Sequence, residues 1–135
     1  MAVAIRRAAV DDIVRHARSE LPNECCGLLV GRPHDVRWTV RARNLRSSAT
    51  GFLIDPEAHF AAMRNAREVG LSVVGAYHSH PTTSASPSAA DLAAASYPDF
   101  LYIIVSVLKA GESGDVRAYR LAEGNFDRVD LVLVD

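Results

Sequence analysis

The stretch LSVVGAYHSHPTTSASPSAAD, residues 71–91, holds a strand, a loop and the start of a helix in that order. Leu71 to His80 is β-prone, and Pro81 ends it because proline cannot donate to a strand ladder. Thr82 to Pro87 is a Ser/Thr/Pro-rich loop, and Ser88 to Ser96 reads as a short helix. Side chains at i and i+2 of a strand share a face, so His78 and His80 can converge on one point. The loop then returns Asp91 toward them, one turn into the helix. Two imidazoles and one carboxylate make a three-ligand metal site with a position left open. Structural readings stand beside this one. Either histidine can be an ordinary strand residue. Ser88-x-x-Asp91 is close to a capping box, in which Ser88 caps the helix and Asp91 favours its positive end.

Working outward toward the N-terminus, Asp55 as N-cap, Pro56 at the first helical position and Gly70 as the stop mark a second helix. Phe60, Met63, Ala66 and Val69 are expected on its inner face. Val36 to Arg43 alternates, with Val36, Trp38, Val40 and Ala42 on one side and Arg37, Thr39, Arg41 and Arg43 on the other, as in a half-buried strand. Cys25 to Val30, closed by Gly31, reads as a buried strand. Val10, Ile13, Val14 and Ala17 take helical spacing within residues 9–19, with Asp11 and Asp12 near the positive helix start and Leu21-Pro22-Asn23 as the break. Toward the C-terminus come a strand over Phe100 to Val107, a loop over Lys109 to Asp115 and a strand over Val116 to Leu121. A Gly124-Asn125 turn then leads to a last strand, Phe126 to Val134. Interleaved helices and strands predict an α/β domain with a mixed sheet.

The chain has 135 residues, the size of one domain, so residues 1–135 are expected to form a single unit. Apolar residues make up 49% and charged residues 23%, as in a soluble globular protein. The net charge of -1 argues against a nucleic-acid or membrane-surface footprint. No apolar run approaches the ~20 residues that span a bilayer. Arg6 and Arg7 have no apolar region behind them, so the first ten residues do not read as a signal peptide. Cys25 and Cys26 are adjacent, and neighbours rarely bridge to each other. A reducing, cytoplasmic location is therefore expected.

His78-x-His80-Pro81, followed by Ser88-x-x-Asp91, resembles the JAMM (MPN-plus) metalloprotease motif. Pro22-Asn23-Glu24-Cys25-Cys26-Gly27-Leu28-Leu29-Val30-Gly31 is similar to that family's segment carrying its catalytic glutamate. Val73 to Tyr77 and Tyr102 to Ser106 follow in the expected order, so the likeness spans most of the chain. The resemblance implies a single MPN/JAB-like domain with a mixed, mostly antiparallel sheet flanked by helices. It implies one zinc ion per chain on His78, His80 and Asp91, with Glu24 as base and then acid, and Ser88 as an oxyanion donor. These roles agree with the needs of amide hydrolysis, which requires a polarised carbonyl, an activated water and an acid for the leaving amine. The bland alternative for Glu24 is an exposed loop carboxylate.

The short interval between Glu24 and His78 looks like the free-standing prokaryotic form of the family. Such proteins resemble enzymes that cut the amide after the C-terminal Gly-Gly of ubiquitin-fold carriers, among them sulfur carriers charged with cysteine and small archaeal protein modifiers. Gly51-Phe52-Leu53-Ile54 is a candidate edge for such a tail, and equally a buried core strand. The rival readings are a RadC-like JAMM protein, a non-catalytic MPN scaffold, and a two-histidine-one-carboxylate iron oxygenase. The first shares a similar His-x-His-Pro stretch but is disfavoured by the Glu24 segment. Scaffolds of this fold typically lack a ligand, and an oxygenase leaves Glu24 and Ser88 without a role. His16, His34 and His59 lack partners at ligand spacing and read as surface residues, and the two cysteines as small core residues.

Overall fold

A computed structural model describes residues 2–108 and 115–135. In chain order the elements are β1 (Val3–Arg6), α1 (Arg7–Ser19), β2 (Cys26–Arg32), β3 (Asp35–Ala42), α2 (Pro56–Glu68), β4 (Ser72–His80), α3 (Ala89–Ala94), β5 (Leu101–Ser106), β6 (Asp115–Ala122), β7 (Asn125–Val129) and β8 (Leu131–Val134). The strands form one sheet in the order β7-β6-β5-β4-β2-β3-β1-β8. The β2–β3, β2–β4, β5–β6 and β6–β7 pairs are antiparallel. The β1–β3, β1–β8 and β4–β5 pairs are parallel. A mixed, mostly antiparallel sheet with helices against it is what the sequence predicts.

The strands at the two ends of the sheet, β7 and β8, are consecutive in the chain with only Asp130 between them. The sheet must therefore curl until its edges meet. Helix α1 lies inside the curl. Its Ala9, Ile13 and Ala17 pack with Val3, Ile5, Leu29, Val36, Tyr77 and Ile103 in the main core. Helix α2 covers the outer face, where Ala62 packs with Leu28 and Ala76. Among the described residues no helix is long and apolar enough to cross a membrane.

Several expectations need correction. The expected last strand, Phe126 to Val134, is two strands. The chain breaks at Asp130 because β8 leaves β7 to pair with β1, and the Val3 amide donates to the Asp130 carbonyl at 2.9 Å. Strand β1 is too short to announce itself by periodicity. Helix α1 begins at Arg7, so Asp11 and Asp12 are not in its first turn. Asp12 instead accepts from Arg41 Nη2 at 2.9 Å and Thr39 Oγ1 at 3.2 Å. Strand β2 runs through Gly31 to Arg32, and a Cβ at Gly31 would lie 2.1 Å from the Asp35 carbonyl oxygen.

Strand β3 does not keep one apolar side. Val30 pairs with Trp38 but Gly31 pairs with Val36, which leaves Arg37 as an extra residue. This bulge flips the alternation. Val36 joins the α1 core, Val40 joins the α2 cluster, and Trp38 stays exposed. Helix α2 has its expected cap, with Asp55 Oδ1 accepting from the Glu57 amide at 3.0 Å, Pro56 at its start and Gly70 beyond its end at φ +74°. Its inner face, however, is made by Ala62 and Ala66. Phe60, Met63 and Val69 are exposed, at 61%, 40% and 61%. Small residues at i and i+4 let this helix lie close to the sheet, which leaves its large side chains outside. Gly51 to Ile54 is not a strand; only Ile54 makes a single bridge, to Asn44. Of the loop expected over Lys109 to Asp115, residues 109–114 lie outside the described residues and Asp115 opens β6.

Candidate metal centre

Alternation along β4 sends Tyr77 into the α1 core and His78 and His80 to the outer face. The chain turns after Pro81, and Ser88 caps α3. Ser88 Oγ accepts from the Asp91 amide at 3.0 Å, and the Asp91 carboxylate accepts from the Ser88 amide at 2.9 Å. The capping box is thus real, and it does not compete with the cluster: the same Asp91 faces both histidines. His78 Nε2 lies 3.1 Å from Asp91 Oδ1, His80 Nε2 lies 3.0 Å from Oδ2, and the two Nε2 atoms are 3.2 Å apart. One donor atom from each of the three residues falls within 4.8 Å of the others, so the group can hold a metal ion.

The supports of this cluster decide which atoms face inward. His80 Nδ1 donates to the Ser84 carbonyl at 2.7 Å, since a carbonyl can only accept. In the neutral ring that leaves Nε2 with its lone pair toward the cluster. The loop bearing Ser84 is tied down on both sides: Ser106 Oγ donates to the Thr83 carbonyl at 2.7 Å and Tyr119 donates to the Ala85 carbonyl at 2.9 Å. The His78 ring stacks on Phe52, with centroids 4.3 Å apart. Burial pushes the Asp91 carboxyl up, but hydrogen bonds from both histidines and the Ser88 amide hold it well below the ordinary carboxylate range. Burial pulls the His78 imidazole down against the pull of Asp91. At His80 burial acts in the same sense but Asp91 and Ser84 win, so its affinity for a proton is raised.

Glu24 precedes β2. Cys26 pairs with His78, and the Ser79 amide donates to the Cys25 carbonyl at 3.1 Å. Carrying the antiparallel register back brings Glu24 beside His80. It is buried, which corrects the exposed-loop alternative, and among the described residues its Oε1 has no hydrogen-bond partner. Burial pushes its carboxyl up to about 7, opposed by the His80 charge and helped by Asp91. All five residues singled out from the sequence therefore lie in one region around β4.

The other candidates fall differently. His16 is not on the surface; it is buried inside the curl, its Nδ1 2.7 Å from the Tyr77 hydroxyl. His59 is half-buried beside Tyr97, and His34 is exposed as expected. Cys25 and Cys26 are free and buried, and burial pushes their thiols up to about 11 and about 12, which suits inert core residues. Phe52 and Ser106 were read only as parts of a candidate edge and a strand, and Ser84 and Tyr119 escaped the sequence reading, because no spacing rule connects a loop or a distant strand to the histidines. An apolar groove of about 740 Å³ opens beside His78 and Asp91, walled by residues that include Ile54, Phe60, Met63, Tyr97 and Phe100. Phe60 and Met63, left out of the core, line this groove.

Comparison with known proteins agrees with this geometry. A family model described as prokaryotic homologs of the JAB domain matches residues 6–122. The CysO-cysteine peptidase of Mycobacterium tuberculosis is 33% identical over 127 residues, covering 90% of this chain and 84% of the relative. The desampylase of Haloferax volcanii is 35% identical over 106 residues, covering 73% and 76%. The solution structure of a protein from Desulfitobacterium hafniense matches with a TM-score of 0.87 and 31% identity, covering 98% of this chain and 93% of that one. The chain belongs to the prokaryotic homologs of the JAB domain, and its fold is a single MPN/JAB-like α/β domain.

Proposed function

We propose that this chain is a zinc-dependent amide hydrolase that cuts after the C-terminal Gly-Gly of a ubiquitin-fold carrier or modifier, releasing cysteine or a lysine-linked protein. The observation that carries the reading is the convergence of His78, His80 and Asp91 within 4.8 Å beside the buried Glu24, whose Oε1 has no hydrogen-bond partner among the described residues. Two imidazole nitrogens and a carboxylate suit zinc as a donor set, and the Ser84 carbonyl behind His80 is the outer support such ligands use. Zinc held there supplies Lewis acidity toward the scissile carbonyl and an acidified water.

Glu24 is the group that takes the proton from the attacking water and hands it to the leaving amine. Burial raises the affinity of this carboxyl for a proton, which suits a group that must take one and then return it. Ser88 uses its oxygen as an acceptor in the helix cap, so its hydrogen is left to donate to the developing oxyanion. The groove beside His78 receives the substrate chain. Gly51 to Ile54 is not a strand, so β-pairing with the tail is not part of this proposal. Support for the substrate class comes from the relatives named a CysO-cysteine peptidase and a desampylase.

The test is metal analysis of the purified protein together with hydrolysis of a ubiquitin-fold carrier joined through its C-terminal Gly-Gly to cysteine or to a lysine side chain. One zinc per chain and release of the free carrier are expected. Zinc without cleavage of either conjugate would reject the substrate class.

A further inference from the structure

Asn44 follows β3 at the mouth of the 45–53 loop, and its side chain uses all four of its hydrogen-bonding positions. Nδ2 donates to the Glu24 carbonyl at 3.0 Å and to the Gly51 carbonyl at 3.2 Å. Oδ1 accepts from the amides of Arg46 and Leu53, both at 3.0 Å. Main-chain bonds complete the knot: the Glu24 amide donates to the Ser48 carbonyl at 2.8 Å, and Leu45 to Leu53 at 2.8 Å. One carboxamide therefore binds both ends of a loop to the backbone of Glu24. The loop also carries Phe52, whose ring lies on His78.

This arrangement bears on how Glu24 is held. Among the described residues its Oε1 has no hydrogen-bond partner. Its main chain is held on both sides, the carbonyl by the Asn44 carboxamide and the amide by the Ser48 carbonyl of the loop. Building on the hydrolase reading above, we propose that Asn44 is a positioning residue. It ties the Glu24 backbone to the end of β3 and the loop that follows, and so governs the chemical step without touching metal or substrate.

Asn44→Asp separates this role from general support. The aspartate keeps the acceptor for Arg46 and Leu53 but turns an oxygen toward the Glu24 and Gly51 carbonyls, so the donors are lost. On the carrier–cysteine conjugate, kcat should fall by about 10–100-fold with KM within about twofold, the expected effect of a misplaced reacting group. Zinc should remain at one per chain. In a Glu24→Gln background the same substitution should leave the residual rate unchanged, because coupled residues are not additive. In the metal-free protein, amide exchange should quicken at Glu24, Arg46 and Leu53 but not at Leu28. Should the aspartate variant fail to fold, Asn44→Ser, with one donor and one acceptor, carries the same comparisons. Wild-type kcat in the variant, an equal loss in both backgrounds, or unchanged amide exchange overturns the proposal while leaving the hydrolase reading intact. Wild-type turnover by Glu24→Gln alone overturns both.

Discussion

Tyr119 donates its phenolic hydrogen to the carbonyl of Ala85 at 2.9 Å, one residue beyond the Ser84 carbonyl that accepts from His80. A side chain on β6 thus holds the loop that orients His80, a member of the candidate metal cluster, on β4. Tyr119→Phe should leave the sheet intact and weaken zinc binding, toward the lower end of the ~10–100-fold range for outer supports of metal ligands. Competition with a chelating dye measures this. Unchanged zinc affinity would show that Ser106 alone suffices to hold the loop.

His80→Ala should remove zinc altogether with little effect on folding. The side chain is buried in the ligand cluster and lies outside the three apolar clusters. Elemental analysis paired with circular dichroism tests it; one zinc per chain in a folded variant would reject the ligand assignment.

Glu24→Gln should keep zinc and lose ~10²–10⁴-fold in hydrolysis, the usual contribution of an acid–base group. The amide fills the same buried space but cannot take the proton. Zinc stoichiometry and kcat on the carrier–cysteine conjugate are the two readings to compare.

His16 gives the stability a pH dependence. Burial holds its imidazole below the ordinary value of 6.5, with Arg41 acting the same way and Glu20 and Asp12 opposing. The unfolded chain therefore takes up the proton first as pH falls. The stabilisation is fully present above about pH 6.5 and is lost as pH drops from there through the lower folded value. One proton is worth at most about 1.4 kcal/mol per pH unit. His16→Gln should flatten the decline in unfolding free energy between pH 7.5 and pH 5.5, measured by urea titration of the metal-free protein. Parallel curves for variant and wild type would contradict this.

Phe60 is exposed on α2 yet lines the groove beside the metal cluster. Phe60→Ser should change stability by no more than about 0.5 kcal/mol, as for other surface substitutions. It should raise KM for the carrier conjugate while leaving zinc content alone. An unaltered KM would mean the substrate takes another path to the site.

The legible parts of the sequence were those governed by local rules. His78 and His80 share a face because a strand has period two, and Asp91 is placed by a helix start that Ser88 and Pro87 announce. Asp55, Pro56 and Gly70 bounded α2 for the same reason. Where two distant segments decide the outcome, local rules did not reach, and only the family resemblance brought Glu24 to the histidines. Arg37 is a bulge only because of how β2 pairs with β3. At Asp130 the chain changes partner strand, and nothing in the run from Phe126 to Val134 marks that change. The large residues of α2 face outward because alanines made the closer contact.

Strand β1 has β3 on one side and β8 on the other, and both pairings are parallel. During synthesis the outer edge of β1, with Val3 and Ile5 of the main core behind it, has no strand to pair with until β8 leaves the ribosome. The residues of the metal cluster are all translated well before that moment. Final closure of the curl therefore waits on contacts between the most widely separated strands of the chain, the kind that form slowly. A nascent or truncated chain ending before Leu131 would present β1 as an open edge, a template for pairing with other chains.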